Sequence, residues 1–390
     1  MANSLTNLNA EWWRPLIQDF LNNMLVGRDI CNTKVEEQLT SGQTVNFPTV
    51  NDLTVSDYVQ GTDVTPQNLT ASNSLLTVNQ SKIVSFIVDP VQEKQATSKY
   101  VVTMAQQAAF RLANVIDQKI LSDCSTLAYQ TVSAGTLNTS NLYSLFTDNY
   151  ARLFNQNATD RECFAVIDSS RLSLLAQTFV NSGFMQADKK LEDGFSPFAG
   201  MAGYFRVYTS NNLPAQILLT LAVNPTAGDT FSLYGATWTF RANGTATVAG
   251  DISIGGNAAA TQAIVVNALN GTGTPGASTY IDISTDNRVV YSNNLLAAGA
   301  FSGNVSTITG VGHFTPSATF ANGSNSLGTE TTKMIFGSMG APSLAIQMLP
   351  ELYVAQLQYQ IARNYMTHTL FGSTVFTRDQ RRLISVTINS

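Results

Sequence analysis

The sequence predicts an α+β protein whose chain also carries long extended segments with little core of their own. Three patterns predict it. One amphipathic stripe runs through residues 93–121, apolar and polar residues alternate at both ends of a segment spanning 43–89, and helical and strand patterns take turns from 136 to 222. Composition points the same way. Of 390 residues 44% are apolar but only 12% are charged, about half the usual share. Solvated surfaces normally carry charges, so much of this surface reads as interface. A net charge of −5 excludes nucleic-acid binding through overall basicity. Cys31, Cys124 and Cys163 are scattered and odd in number, which makes neither a disulfide framework nor a zinc knuckle. With His313 and His368 as the two histidines, no metal site or other cofactor is expected.

Taken in order, residues 1–11 are polar and no basic flank or small-residue cleavage site accompanies the first apolar stretch, so no export signal is expected. No window holds 18 consecutive apolar residues, so no membrane contact is expected either. Synthesis in the cytosol with reduced thiols follows. Trp13, Leu16, Ile17, Phe20 and Met24 recur at helical spacing, with Pro15 in the first turn. Two readings remain open, a helix packed on its own domain and an arm packed on a neighbouring subunit, the latter suited by the adjacent Trp12 and Trp13.

From Gln43 to Asp89, Val45 and Phe47 alternate with polar residues, as do Leu53 and Val55, and again Val84, Phe86 and Val88. The pattern predicts a long hairpin with a polar tip. Isolated hairpins are marginal in water, so it must lie on its own body or on another subunit. Glu93–Leu121 predicts one long helix. Val101, Met104, Ala105, Ala108, Leu112, Val115, Ile116 and Ile120 form its buried stripe, opposite Gln106, Gln107, Arg111, Asn114, Asp117 and Gln118. Such a helix would run about 40 Å.

Leu142–Phe154 and Ser170–Asn181 predict helices, the second capped by Ser169, and Phe164–Ile167 and Tyr204–Tyr208 predict strands. Between 223 and 330 only seven residues are charged. Phe231 and Leu233, then Ala236, Trp238 and Phe240, alternate about a Tyr234-Gly235 turn, which predicts a hairpin. Ile252–Ile254, Tyr280–Ile283, Val289–Tyr291 and Val305–Ile308 predict strands and Ala258–Leu269 a helix, together a small α+β module inserted into the preceding domain. From Tyr353 to Tyr365 the odd positions predict one unusually long strand, turned by Leu370-Phe371-Gly372, with Ile384, Val386 and Ile388 as a final strand.

Catalytic patterns are weak. Gly271-Thr-Gly-Thr-Pro-Gly276 has the glycine spacing of a dinucleotide loop but follows a helix instead of opening one. No P-loop and no Gly-x-Ser-x-Gly elbow occurs, and Cys163 sits in an apolar run that suits an inert thiol. The charged cluster Asp188–Asp193 reads as a solvated loop, with an inter-subunit contact as the alternative. Arg363, Arg378, Arg381 and Arg382 gather near the C-terminus, either facing a polyanion or making salt links. No enzymatic activity is expected.

The order of these pieces resembles the major capsid protein of tailed bacteriophages, the Hong Kong 97-type fold. Gly42-Gln-Thr-Val-Asn-Phe-Pro48 with Leu53-Thr-Val-Ser-Asp-Tyr58 is similar to the opening of that family's E-loop, and Asp89–Leu121 to its end and the spine helix. Gly200–Pro214 resembles a stretch of the A-domain; Phe336–Ala341, Leu370–Gly372 and the last strand resemble the close of the P-domain. The resemblance implies an N-terminal arm (1–42), an E-loop (43–92), a P-domain (93–135 with 331–390), an A-domain (136–222) and an inserted module (223–330). It implies a structural subunit that assembles with itself as hexamers and pentamers of an icosahedral shell in the virion, built in the host cytoplasm. Its implied partners are a scaffolding protein, a portal protein, a decoration protein and packaged double-stranded DNA bound without sequence specificity.

Inter-subunit contacts are expected at Trp12, Trp13, Phe20, Tyr58, Leu69 and Leu76, and proximity to DNA at Arg378, Arg381 and Arg382. Some members weld subunits through an E-loop lysine. The one lysine between Gln43 and Gln92 is Lys82, placed on the return strand, so a non-covalent shell is expected. A nanocompartment shell of the same fold and a phage tail structural protein are the alternatives.

Overall fold

The computed structural model describes residues 26–36, 42–50, 53–63, 66–68, 70–89, 91, 100–159, 162–181, 200–202, 205–356 and 362–389. Trp12, Trp13, Phe20 and the rest of the expected arm, Leu69, the cluster Asp188–Asp193, and the first residues of the expected helix at 93–99 lie outside them. The chain forms two compact units. One comprises Met1–Tyr129, Gln156–Glu162 and Gly337–Leu383, the other Gln130–Asn155, Cys163–Phe336 and Ile384–Ser390. The division between the units falls at 129/130, and Ile384–Ser390 group with the second unit.

In the first unit a short helix, α1 (Val26–Ile30), precedes α2 (Tyr100–Thr126), which at 27 residues is about 40 Å long. The helix ends five residues beyond the expected Leu121. Ala105, Ala108, Ala109, Leu112, Ala113, Ile116, Ile120 and Leu121 are buried along one side. Alanine at four of these positions lets a sheet approach closely. That sheet has the order β17 (Pro342–Gln356), β18 (Arg363–Val375), β3 (Gln80–Val88), antiparallel throughout. Val88, Ala109 and Tyr365 pack together with Phe86 and Val354, and the Phe86 and Tyr365 rings stack at 5.3 Å.

Asp117, expected on the solvated side of α2, is 1% exposed. Its Oδ1 accepts the Gly27 N–H at 2.6 Å, because α1 packs at this turn. Position 27 must lack a side chain: a Cβ there would lie 2.8 Å from Asp117 Oδ1 and 2.9 Å from Ile120 Cδ1.

In this unit two strand expectations and one turn need correction. The hairpin pairs β1 (Thr44–Val50) with β2 (Ala71–Thr77), and the segment read as its return, β3, instead pairs with β18. Both segments alternate, and alternation does not say which neighbour a strand takes. The single long strand at 353–365 is two antiparallel strands, β17 and β18. Leu370–Gly372 is no turn; it lies inside β18, where Phe371 is fully buried.

The second unit is built on a mixed sheet of ten strands. Its main path is β12 (Leu295–Ala298), β13 (Val305–Val311), β8 (Pro214–Leu221), β16 (Thr331–Ser338), β5 (Cys163–Ile167), β7 (Phe205–Thr209), β6 (Gly200–Ala202). The strand β15 (Asn325–Leu327) pairs with β8, while β19 (Leu383–Asn389) pairs with β16 and, in parallel, with β4 (Gln130–Thr136). Helices α3 (Leu142–Asn155) and α4 (Ser169–Asn181) accompany it. The cap of α4 is Asp168, not Ser169: its Oδ1 accepts the Arg171 N–H at 2.9 Å. Phe146, Tyr150, Phe205 and Phe336 form an edge-to-face aromatic group.

The segment 223–330 is continuous with this unit. A four-stranded sheet of β11 (Asp251–Ser253), β10 (Ala236–Arg241), β9 (Thr230–Leu233) and β14 (Ser317–Thr319) packs with α5 (Ala258–Asn270) and α6 (Thr285–Asn294). Ile217, Leu219 and Leu221 of β8 share one core with Phe231, Trp238, Phe240 and Leu269, and β13 and β15 pair directly with β8. Val289–Tyr291, expected as a strand, lies in α6, whose Ser284 cap accepts the Asn287 N–H at 3.4 Å. Tyr280 forms only an isolated bridge to Ile252, so Tyr280–Ile283 is not a strand either. The buried Trp238 Nε1 donates to the Tyr291 hydroxyl at 3.0 Å. Gly271, with φ 65°, caps α5, a helix end and not the start that phosphate binding needs.

Candidate subunit interface

The loop between β1 and β2 is anchored at its foot. Val45 and Leu76 face each other in register and pack with Val35, Val78, Ala345 and Phe376, while the Phe47 and Phe376 rings lie 4.6 Å apart. Gln347 Nε2 donates to the Gly42 carbonyl at 2.9 Å, and Val78 N–H to the Gln43 carbonyl at 2.8 Å. The close fit explains Gly372, since a Cβ there would meet the Thr77 carbonyl oxygen at 2.3 Å. It is the backbone crossing over β18, not a turn, that requires glycine here.

Toward the tip, burial ends. Pro48, Asn73 and Ala71 are exposed, and beyond them Leu53 (64%), Val55 (100%), Tyr58 (74%) and Val59 (63%) present their side chains to solvent. Thr54 N–H donates to Gln67 Oε1 at 2.9 Å across the loop, and Thr62 N–H to the Val59 carbonyl at 3.2 Å. These bonds shape the tip without covering it. The expected strand at Leu53–Val55 is therefore irregular backbone. On the neighbouring sheet, Ile83 and Ile87 of β3 are 60% and 63% exposed and Tyr353 of β17 is 45% exposed, a further uncovered apolar face.

Of the residues expected at interfaces, Tyr58 lies at this exposed tip. Leu76 is a correction: it is fully buried in the foot of its own loop and is not open to another subunit, because its side of β2 faces Val35 and Phe376. Val55 and Val59, not among the expected contacts, share this exposed tip, and their apolar side chains in a polar segment are the signal that marks them. Arg378 and Arg381 are exposed, and Arg382 is partly buried with its Nε 3.5 Å from Asp379 Oδ1. Lys82 lies on β3 opposite Thr369, away from the tip.

Other chemistry is muted. Cys124 and Cys163 are buried, and burial, with the nearby Asp123 and Asp117, pushes the Cys124 thiol up. His313 Nδ1 pairs with Glu330 Oε2 at 2.5 Å, and His368 Nε2 bonds Ser81 Oγ at 2.8 Å. Among the described residues no cluster of His, Cys, Asp and Glu could hold a metal ion, and no helix is long and apolar enough to cross a membrane.

Among solved structures, a protein of Mycobacterium phage Che8 superposes at 12% identity over 92% of this chain and 90% of that one, with a TM-score of 0.52. This is the phage capsid fold of the Hong Kong 97 type. Other similar chains include one from the mature capsid of bacteriophage PhiM1 (10% identity, 93% and 86% covered, TM-score 0.49). Another is a virus-like particle from Pyrococcus furiosus (10%, 96% and 98%, 0.46). No family model and no curated protein matches the sequence.

Proposed function

We propose that the protein is the shell subunit of a tailed-phage capsid, assembling as hexamers and pentamers into an icosahedral shell around double-stranded DNA. The observation that carries this reading is the E-loop, anchored at its foot and bare at its tip, in a chain with the capsid fold. Covering Leu53, Val55, Tyr58 and Val59 on adjoining copies is worth on the order of several kcal/mol per subunit before ordering costs. Repetition over every subunit makes modest contacts sufficient. The position of Lys82 within a paired strand supports a shell held without covalent links. The role is structural, with no catalysis, and a scaffolding protein, a portal and a decoration protein are its proposed partners. Arg378, Arg381 and Arg382 are proposed to face the DNA.

Electron microscopy of the expressed chain, with and without its scaffolding protein, tests the reading. Closed shells or capsid-like sheets and tubes are expected, and a discrete small oligomer at high concentration would overturn it. Particles purified from infected cells should contain double-stranded DNA; a protein cargo in its place would move the assignment to a nanocompartment.

A further inference from the structure

In the second unit a cleft of about 250 Å³ runs between β4 and α3. Val132, Ser133 and Ala134, three consecutive residues of β4, line it. Side chains of a strand alternate between faces, so a cleft touching successive residues lies along the strand's edge. Ser144, Leu145, Asp148, Asn149 and Arg152 line the other side, one face of α3 over about 12 Å, the length of three to four extended residues. On its first edge β4 pairs with β19; among the described residues no strand takes the second. Nor is that edge guarded, for Gln130–Thr136 contains no charged residue and no proline.

Asn149 adds an unmet demand. The residue is 1% exposed, its Nδ2 donates to the Leu145 carbonyl at 2.8 Å, and its buried Oδ1 has no donor among the described residues. An acceptor left so is costly, and an N–H arriving along the cleft would satisfy it. At the rim, Arg152 is exposed and has no acidic partner among the described residues, although Asp148 stands one turn away.

The same chain holds a segment with the matching need. Leu53–Val59 (Leu-Thr-Val-Ser-Asp-Tyr-Val) is rich in strand-forming residues, pairs with no strand among the described residues, and is exposed throughout. In an extended segment Val55, Asp57 and Val59 point the same way. We propose that residues 53–59 of one copy add as a strand to the open edge of β4 in a neighbouring copy, with Asp57 against Arg152, a backbone N–H on Asn149 Oδ1, and Leu53, four residues back on the same face, toward Leu145. With Asp57 at Arg152, Asp148, about 6 Å back along α3, lies level with the uncharged Val55. This rests on the shell reading above and deepens it by naming where the loop's tip docks.

A charge swap tests it. Arg152→Asp sets two carboxylates opposite each other and should raise the concentration needed for assembly about fivefold, while Asp57→Arg in the same chain should bring it back within about twofold. Both positions are exposed, so folding is not at stake. As a second measurement, Val55→Cys with Ser133→Cys should give intermolecular disulfides on oxidation of formed particles. If the wild type forms particles but Arg152→Asp assembles equally well, the double variant stays as impaired as the single, or no disulfide forms, the docking site is wrong while the shell reading stands. If the wild type forms no particles, both fall.

Discussion

Replacing Gly372 by alanine tests whether the foot of the E-loop is held by a backbone crossing. An alanine Cβ would lie 2.3 Å from the Thr77 carbonyl oxygen, 2.9 Å from Thr77 C and 2.9 Å from Val78 Cα. All three are backbone atoms, so no side chain can swing aside, and the β2–β3 connection must retreat by roughly 1 Å. Gly372 has no positive φ, so the penalty is the clash alone. Overpacking of this kind costs about 1–3 kcal/mol. The Val78 amide, bonded to the Gln43 carbonyl at 2.8 Å, reports it directly. Native-state hydrogen exchange at Val78 should accelerate about 5- to 150-fold. Gly256→Ala is the matched control, because nothing lies within 4 Å of its Cβ position and its φ is ordinary. It should be neutral or slightly stabilising. Equal protection of Val78 in both variants would refute the crossing.

Leu76→Ala should cost about 2–5 kcal/mol in the unfolding of the isolated subunit, whereas Val55→Ser should stay within about 0.5 kcal/mol yet lower particle yield. A Val55→Ser loss of fold stability would place that side chain in the chain's own core. Burial alone would raise the Asp251 carboxyl, but the N–H groups of Val248 and Thr247 and the Arg241 guanidinium, at 2.9, 3.1 and 3.0 Å, outweigh it and hold it below the ordinary value of 3.8. Its contribution is thus present above pH 3.8 and lost as pH falls through the lower folded value. Asp251→Asn should flatten that acid limb of the unfolding curve and cost about 1–3 kcal/mol at neutral pH. Mature particles boiled in detergent should yield one band near 42.0 kDa, and a ladder would show covalent links. Changing Arg381 and Arg382 together to Gln should shorten the packaged DNA or lower the salt tolerance of full particles, read by gel and by particle titre; unchanged full particles would remove them from the DNA.

Local chemistry made several elements legible. The spine helix announces itself because a 3.6-residue stripe of Ala, Leu and Ile over this length has no other stable outlet. The hairpin at Thr230–Arg241 follows from its alternation about Tyr234-Gly235, both of which adopt the left-handed backbone the turn needs (φ 51° and 78°). Val289–Tyr291 misled because three strand-forming residues weigh less than the Ser284 cap and the helix around them. What the amino-acid order determined by itself, then, was periodicity, turn chemistry and a surface too poor in charge to be all solvated. Pairing was decided only in three dimensions. Alternation lets β3 join either a hairpin or β18, and only the fit of Phe86 on Tyr365 and of Thr77 over Gly372 selects the second. Burial of Leu76, exposure of Val55 and the open edge of β4 likewise depend on which residues arrive from far along the chain, and no local spacing encodes that.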